Sequence, residues 1–111
     1  MKKRQKTAFG DYLVEQIKKA AMSQEEFYNA VGIKKPYFYD LLTATPPPIE
    51  LQDRMLSVLD DKTGADAERR SRFYDLAAAG RNEIPADIAK LISEHPTELT
   101  KIRFALCQML Q

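Results

Sequence analysis

The sequence has little of several residue types on which function often depends. It contains one cysteine, Cys107, one histidine, His95, and no tryptophan. A single cysteine cannot form a disulfide within the chain, which is typical of proteins in a reducing cytoplasm, and we expect a cytoplasmic location. We expect Cys107 to be packed rather than reactive, because it lies on a helical stretch. A lone histidine without neighbouring cysteines does not make a zinc site, so we expect no metal and no other cofactor.

The sequence also lacks the signals of a membrane protein and of an enzyme. No apolar run approaches the roughly 18 residues that a membrane-spanning helix needs, so we expect no membrane contact. The basic start at residues 1–4 is not followed by an apolar stretch and does not predict a secretory signal. Neither a glycine-rich phosphate loop nor a nucleophile with a spaced partner is present, so we expect no catalytic activity.

The chain has almost no net charge, since its 17 basic and 16 acidic residues leave a total of +1 at neutral pH. A chain that binds polyanions is usually clearly basic. The basic residues are unevenly placed, however, and a local patch can attract a polyanion when the total charge is near zero. We predict that residues 1–7 form a flexible basic arm, with a solubilising tail as the alternative. The two basic clusters consist of Lys2, Lys3, Arg4, Lys6, Lys34 and Lys35.

Apolar residues recur at helical spacing along most of the chain, and no stretch alternates between apolar and polar residues. This pattern predicts an all-α fold. We assign residues 8–62 to a first helical domain and residues 63–111 to a helical extension. The first predicted helix carries an apolar stripe of Phe9, Leu13, Ile17 and Ala20. The fourth runs from Ile49 to Leu59, and the fifth runs from Ala65 to Ala79 and is ended by Gly80. The last two helices start at Pro85 and at Pro96 or Thr97.

The stretch that begins at Ser23 contains two short helices joined by a tight turn. Ser23 and Glu26 have the spacing of a capping box, in which each side chain binds the backbone amide of the other residue. Gly32 can adopt the left-handed conformation that ends a helix. Pro36 is tolerated in the first turn of the next helix, where its missing amide costs little. The pattern therefore predicts a second short helix at residues 34–43.

This segment resembles the helix-turn-helix of the lambda-repressor-like family, also called the Xre family of regulators. The similarity extends from about Phe9 to Leu59. It implies a lambda-repressor-like helix-turn-helix bundle with additional C-terminal helices. It also implies a sequence-specific transcriptional regulator, a repressor or autoregulator, that inserts helix 34–43 into the major groove of double-stranded DNA. The matching pieces are Ser23–Phe27, Val31–Ile33 and Tyr37–Leu41.

The resemblance also implies roles for individual residues. Gln24 would contact a phosphate, and residues 34–36 would enter the groove first. Lys35 could donate to guanine acceptors, while Asp40 could accept from the amino group of cytosine. The threonines of the following loop would touch phosphate. The implied DNA-contacting residues are Gln24, Lys34, Lys35, Pro36, Tyr37, Tyr39, Asp40, Thr43 and Thr45.

A protein-interaction module on the same fold, such as an antitoxin-like or adaptor protein, is the alternative. The family usually has a small residue where this chain has Tyr28, and a polar residue where it has Leu42. Tyr37 and Tyr39 make the second helix unusually aromatic, and exposed aromatic residues often mark protein contacts. The near-zero net charge also favours a protein-interaction module.

The apolar content of residues 63–111 exceeds what the helices there need for themselves. We predict that the last helix forms the contact of a homodimer, since regulators of the family usually bind two-fold symmetric DNA sites as dimers. The alternative is that this helix covers the core of the first domain. The apolar stripe of the last helix consists of Leu99, Ile102, Leu106 and Met109.

Overall fold

A computed structural model describes residues 4–111, which contain helices and turns but no strand. The predicted all-α class is confirmed. Lys2 and Lys3 of the predicted basic arm lie outside the described residues. The helices are α1 (Ala8–Lys19), α2 (Gln24–Val31), α3 (Lys35–Thr43), α4 (Ile49–Thr63), α5 (Ala67–Arg81), α6 (Ala86–Ser93) and α7 (Leu99–Met109), with a 3-10 turn at Pro96–Glu98.

The core is built around α1, whose apolar stripe is almost completely buried. Phe9, Leu13 and Ile17 each expose 2% of their surface or less. The ring of Phe9 packs edge-on against the ring of Phe73 in α5, with the two centroids 5.1 Å apart. Buried residues of α2, α3 and α4 complete the same cluster, which extends as far as Ala86 at the start of α6. Helix α5 therefore shares one core with α1–α4.

The ends of α2 lie where the capping signals predict them. The Ser23 hydroxyl accepts from the backbone N–H of Glu26, and the Glu26 carboxylate accepts from the backbone N–H of Ser23, both at 3.0 Å. The bond from the Ser23 backbone N–H, and after it the Ser23 side chain, lower the pKa of Glu26 below its ordinary value, because they stabilise the charged carboxylate. Gly32 ends the helix in the left-handed conformation with φ 92°.

The predicted ends of α4 and α5 are wrong. Helix α4 continues beyond Leu59 to Thr63, because the polar residues that follow Leu59 lie on the solvent side of the helix. Helix α5 continues through Gly80 to Arg81, and Asn82, which follows it, takes the left-handed conformation that ends the helix. Gly80 serves a close packing contact instead, since a Cβ atom there would lie 2.5 Å from the ring of Pro46.

The start of α1 lies against the end of α3 with no room for a side chain between them. A Cβ atom on Gly10 would lie 2.1 Å from the carbonyl oxygen of Leu42. The same oxygen accepts a hydrogen bond of 2.9 Å from the backbone N–H of Thr7. Because α3 is fixed to α1 in this way, its other face keeps a defined orientation.

The link between α4 and α5 is held by a buried arginine. Arg69 is 8% exposed, and its guanidinium donates to the Asp60 carboxylate, to the Thr63 hydroxyl at 2.7 Å and to the Gly64 carbonyl at 2.8 Å. A buried arginine needs such partners, because an uncompensated charge in the interior is costly. Arg69 therefore holds the start of α5 against the end of α4.

Within residues 4–111, every helix is too short or too polar to cross a membrane.

Candidate nucleic-acid interface

The turn between α2 and α3 is short and well bonded. The carbonyl oxygen of Tyr28 accepts from the backbone N–H groups of Gly32 and Ile33, each at 3.0 Å. Arg54 of α4 donates from Nη1 to the carbonyl of Val31 at 3.1 Å, which satisfies an acceptor at the end of α2. These bonds set the direction in which α3 leaves the turn.

Helix α3 has one buried and one exposed side. Phe38, Leu41 and Leu42 are 2–3% exposed and face the core. The ring of Phe38 lies 5.4 Å from the ring of Tyr28, which is half-buried, so the bulky residue of α2 has found space against α3. The buried Leu42 likewise packs inward rather than adding to the apolar surface of the helix.

The opposite side of α3, which we call the α3 outer face, gathers most of the predicted DNA-contacting residues. All of its members are exposed except Thr43, which is half-buried, and Tyr37 and Tyr39 expose 44% and 39% of their surface. The Thr43 hydroxyl already donates to the carbonyl of Tyr39 at 2.9 Å. The α3 outer face consists of Lys34, Lys35, Pro36, Tyr37, Tyr39, Asp40 and Thr43.

The two remaining predicted residues lie outside α3. Thr45 lies in the loop after α3 and lines a pocket together with Tyr37 and Asp40. Gln24 is the exposed first residue of α2. No hydrogen bond among residues 4–111 joins the side chain of Gln24 to α3.

Arg4 lies on the α3 outer face, a contact that the sequence did not predict. Its guanidinium donates to the Asp40 carboxylate at 2.6 Å, and its Cζ atom lies 4.9 Å from the centre of the Tyr39 ring. The backbone N–H of Arg4 donates to the Tyr39 hydroxyl at 3.3 Å. The hydrogen bond that Arg4 donates to the Asp40 carboxylate raises the pKa of Arg4 above its ordinary value. The acid on this face is thus already paired with a base.

A second arginine borders the same region from α5. Arg81 donates from Nη1 to the carbonyl of Pro46 at 3.0 Å and pairs through Nε with Glu83 at 2.6 Å. Together with Arg4 and Thr45 it lines an open pocket of about 390 Å³ beside the α3 outer face. Sequence reasoning missed Arg81 because only the fold brings α5 to the loop after α3.

The described residues contain no group of three or more histidine, cysteine or acidic side chains arranged to hold a metal ion. The chemistry that the α3 outer face offers is that of lysine and arginine donors, two tyrosines and the backbone N–H groups of Lys35 and Tyr37 at the helix start. This set suits a polyanionic or aromatic partner.

Comparison of the chain with protein-family models, with curated proteins and with solved structures gives no match.

Proposed function

We propose that the chain binds double-stranded DNA through α2 and α3, which act as a helix-turn-helix of the lambda-repressor type, and that it regulates transcription as a repressor or autoregulator. One observation carries the proposal. Helix α3 is anchored by Phe38, Leu41 and Leu42, while its outer face is open to solvent and begins with two lysines. An anchored helix with one free, basic side is what insertion into a groove requires.

The dimensions and the first turn of α3 support this role. A helix with its side chains is about 10–12 Å wide, and the major groove is about 12 Å wide. The residue before α3, Lys34, makes no side-chain hydrogen bond to the helix start. Pro36 has no N–H and Phe38 donates to the carbonyl of Lys34 at 3.0 Å, so the first-turn N–H groups available to a phosphate oxygen are those of Lys35 and Tyr37.

Arg4 changes the role expected of Asp40. The carboxylate accepts from Arg4, so the pair offers the remaining guanidinium N–H groups as donors. Guanidinium has five N–H donors and can keep one partner while it binds a phosphate or the acceptors of guanine. In the proposed complex Arg4 therefore makes the DNA contact, and Asp40 orients it.

The test is binding to duplex DNA across a salt series, with sites first selected from a pool of random duplexes. Each phosphate contact contributes about −0.9 to the slope of log affinity against log salt. We expect the Lys34→Ala, Lys35→Ala double variant to bind more weakly and to reduce the slope by about two units.

The matched control is the Lys18→Ala, Lys19→Ala double variant. It removes the same charge from another exposed lysine pair, at the end of α1. We expect it to keep the parent affinity and slope. Unchanged binding in the Lys34, Lys35 variant would overturn the proposal.

The exposed rings of Tyr37 and Tyr39 favour a protein-interaction module as the second candidate function. Tyrosine is enriched at protein interfaces because it offers a large contact area with a polar end. This function is supported if no duplex binds at low salt, and if Tyr37→Ala and Tyr39→Ala abolish capture of one protein that the Lys34, Lys35 variant still captures. An antitoxin-like protein can combine both activities.

A further inference from the structure

Helix α5 ends against the loop that follows α3. A Cβ atom on Gly80 would lie 2.5 Å from the ring of Pro46, so the backbone of α5 lies directly on this loop. Pro46 and Pro47 are buried, and the ring of proline fixes its own backbone, so this part of the loop has little freedom to move. Arg81, the last residue of α5, is therefore held at a defined place beside the end of α3.

The side chain of Arg81 is fixed but not fully used. Its Nε atom donates to the Glu83 carboxylate at 2.6 Å, and its Nη1 atom donates to the carbonyl of Pro46 at 3.0 Å. Within residues 4–111, no hydrogen bond involves Nη2. Guanidinium has five N–H donors in a rigid planar fork, so two bonds set its plane and leave other donors for a further acceptor. A partner with acceptor oxygens would meet donors that are already oriented.

Other donors border the pocket of about 390 Å³ that Arg81 lines, which we call the Arg81 pocket. Thr45 and Tyr37 are exposed, and neither hydroxyl is hydrogen-bonded to another residue of the described chain. Arg4 also lines the pocket and uses only Nη2 to bind Asp40. Guanidinium and hydroxyl groups are the side chains that commonly donate to phosphate oxygens.

The charge of the Arg81 pocket distinguishes it from other clefts of the molecule. Its lining contains two arginines and one acid, Asp40, which Arg4 already pairs. Three other clefts on residues 4–111 are each lined by equal numbers of acidic and basic side chains. A surplus of positive charge beside free hydroxyl donors favours an anion with several oxygens, and a phosphate group has this chemistry.

The position of the pocket favours a phosphate of the DNA backbone as its source. Tyr37 and Asp40 belong both to the lining of the pocket and to the α3 outer face, so the two surfaces are continuous. In the proposed function α3 lies in the major groove, which the phosphates of the two strands border. The loop of residues 44–48 at the end of α3 would then lie against one strand, with Arg81 beside it.

We propose that the Arg81 pocket binds one phosphate of the DNA backbone, so that α5 contacts DNA together with α2 and α3. The inference rests on the proposed function for the source of the phosphate. It goes beyond that function by assigning a contact to the helical extension of residues 63–111. Helix α7 contributes no residue to the pocket, and its Cys107 is exposed, contrary to the packed position expected from the sequence.

The test compares the duplex affinity of Arg81→Gln with that of the parent across a salt series. We expect about tenfold weaker binding, because a charge-assisted bond is lost, and a salt slope that is smaller by about one unit. The preference for the selected duplex over a scrambled one should stay unchanged, because a phosphate contact contributes equally to both. The matched control is Arg72→Gln, which removes an exposed arginine of the same helix outside the pocket and should keep the parent affinity and slope.

A second measurement locates the phosphate on the duplex. A neutral methylphosphonate replaces each backbone phosphate of the selected duplex in turn. We expect one position at which the replacement weakens binding of the parent about tenfold but leaves Arg81→Gln unaffected, because both changes remove the same contact. Thr45→Val should show a smaller coupling at that position. Because Thr45 is exposed, this variant should keep the fold even if Arg81→Gln lowers the melting temperature.

The outcomes separate this inference from the proposed function. If the Lys34, Lys35 variant binds weakly while no methylphosphonate position couples to Arg81 or Thr45, α3 binds DNA and the pocket does not. If Arg81→Gln reduces the slope while the Lys34, Lys35 variant binds like the parent, the pocket contact stands and the role of α3 is refuted. A parent chain that binds no duplex would overturn both.

Two further results would overturn the inference alone. Weaker binding of Arg81→Gln with an unchanged salt slope would mean that the arginine only supports the loop. Inorganic phosphate can also be titrated at constant ionic strength and followed by the NMR signals of Thr45 and Arg81. Saturable shifts that are lost in Arg81→Gln, without any effect of this variant on duplex binding, would assign the pocket to a free anion instead of DNA.

Discussion

The close approach of α1 to α3 at Gly10 gives a stability prediction that can be worked out from distances. A methyl group at this position would lie 2.1 Å from the carbonyl oxygen of Leu42, whereas carbon and oxygen atoms in contact are about 3.3 Å apart or more. The obstacle is backbone and cannot rotate away. The two helices must therefore separate by roughly 1 Å in Gly10→Ala, which disturbs the position of α3.

The expected magnitude combines three terms. Overpacking of this kind costs about 1–3 kcal/mol. The separation also weakens the bond from the Thr7 N–H to the Leu42 carbonyl, now 2.9 Å, and such a bond contributes about 0.5–1.5 kcal/mol. Alanine gains about 1 kcal/mol over glycine inside a helix. We therefore expect Gly10→Ala to lower the free energy of unfolding by about 2 kcal/mol and the melting temperature by roughly 8 °C.

The assay is urea denaturation followed by circular dichroism, with Gly64→Ala as the control. Gly64 has φ 84° and nothing within 4 Å of an added Cβ, so alanine there meets backbone strain but no steric overlap. With ψ 159° as well, Gly64 lies in a region adopted almost only by glycine, where strain costs about 1–3 kcal/mol. Gly64→Ala therefore shows the effect of backbone strain alone, far from α3, and a Gly10→Ala midpoint equal to that of the parent would refute the predicted overlap.

Four further substitutions test individual bonds. Ser23→Ala removes the cap of α2 and should cost about 1 kcal/mol in thermal denaturation, and no loss would contradict the capping role. The pKa of Glu26 is lowered in the folded chain, so its charged form stabilises the fold above its ordinary pKa, and this contribution is lost as the pH falls through the folded pKa. Glu26→Gln should therefore lose less stability than the parent when the pH is lowered from neutral. An identical loss of stability with falling pH in the two chains would argue against the capping bond. Arg4→Ala should reduce the salt dependence of DNA binding by about one unit while leaving the melting temperature nearly unchanged; an unchanged slope would assign Arg4 no DNA contact. Tyr74→Phe removes the 2.5 Å hydrogen bond that the Tyr74 hydroxyl donates to Asp53, and it should lower the free energy of unfolding by about 1.5 kcal/mol. A urea midpoint equal to that of the parent would contradict this contribution.

Features that depend on neighbours in sequence were predicted well. The capping box of α2 joins residues three positions apart, and Gly32 ends the helix through its own backbone conformation. The start of α3 follows from Pro36, which fits the first helical turn. These signals are local, so one sequence contains all the necessary information.

Features that depend on distant partners were not predictable from the sequence. Gly80 was expected to end α5, because glycine commonly ends helices, but its partner is Pro46, whose position only the fold determines. The same holds for Arg4 and Asp40, which are 36 positions apart. An arm without periodicity gives no indication of the surface on which it lies.

The candidate site shows the same division. The exposed side of α3 was predictable, because apolar spacing identified the buried residues and left the others outside. The sequence shows that Arg4 and Arg81 are present, but not that they lie beside this side of α3. Arg81 comes from α5, and no pattern within α5 distinguishes it from the other arginines of that helix.

The position of Arg4 has a practical consequence for handling the protein. Arg4 is fixed to Tyr39 and Asp40, so any peptide fused ahead of Met1 is tethered within about 15 Å of α3. An affinity tag there would compete for the surface being assayed, and a histidine tag would add its own charge at mildly acidic pH. A tag after Gln111 would instead adjoin the exposed end of α7. Measurements of binding at the α3 outer face or at α7 therefore call for protein from which the tag has been removed.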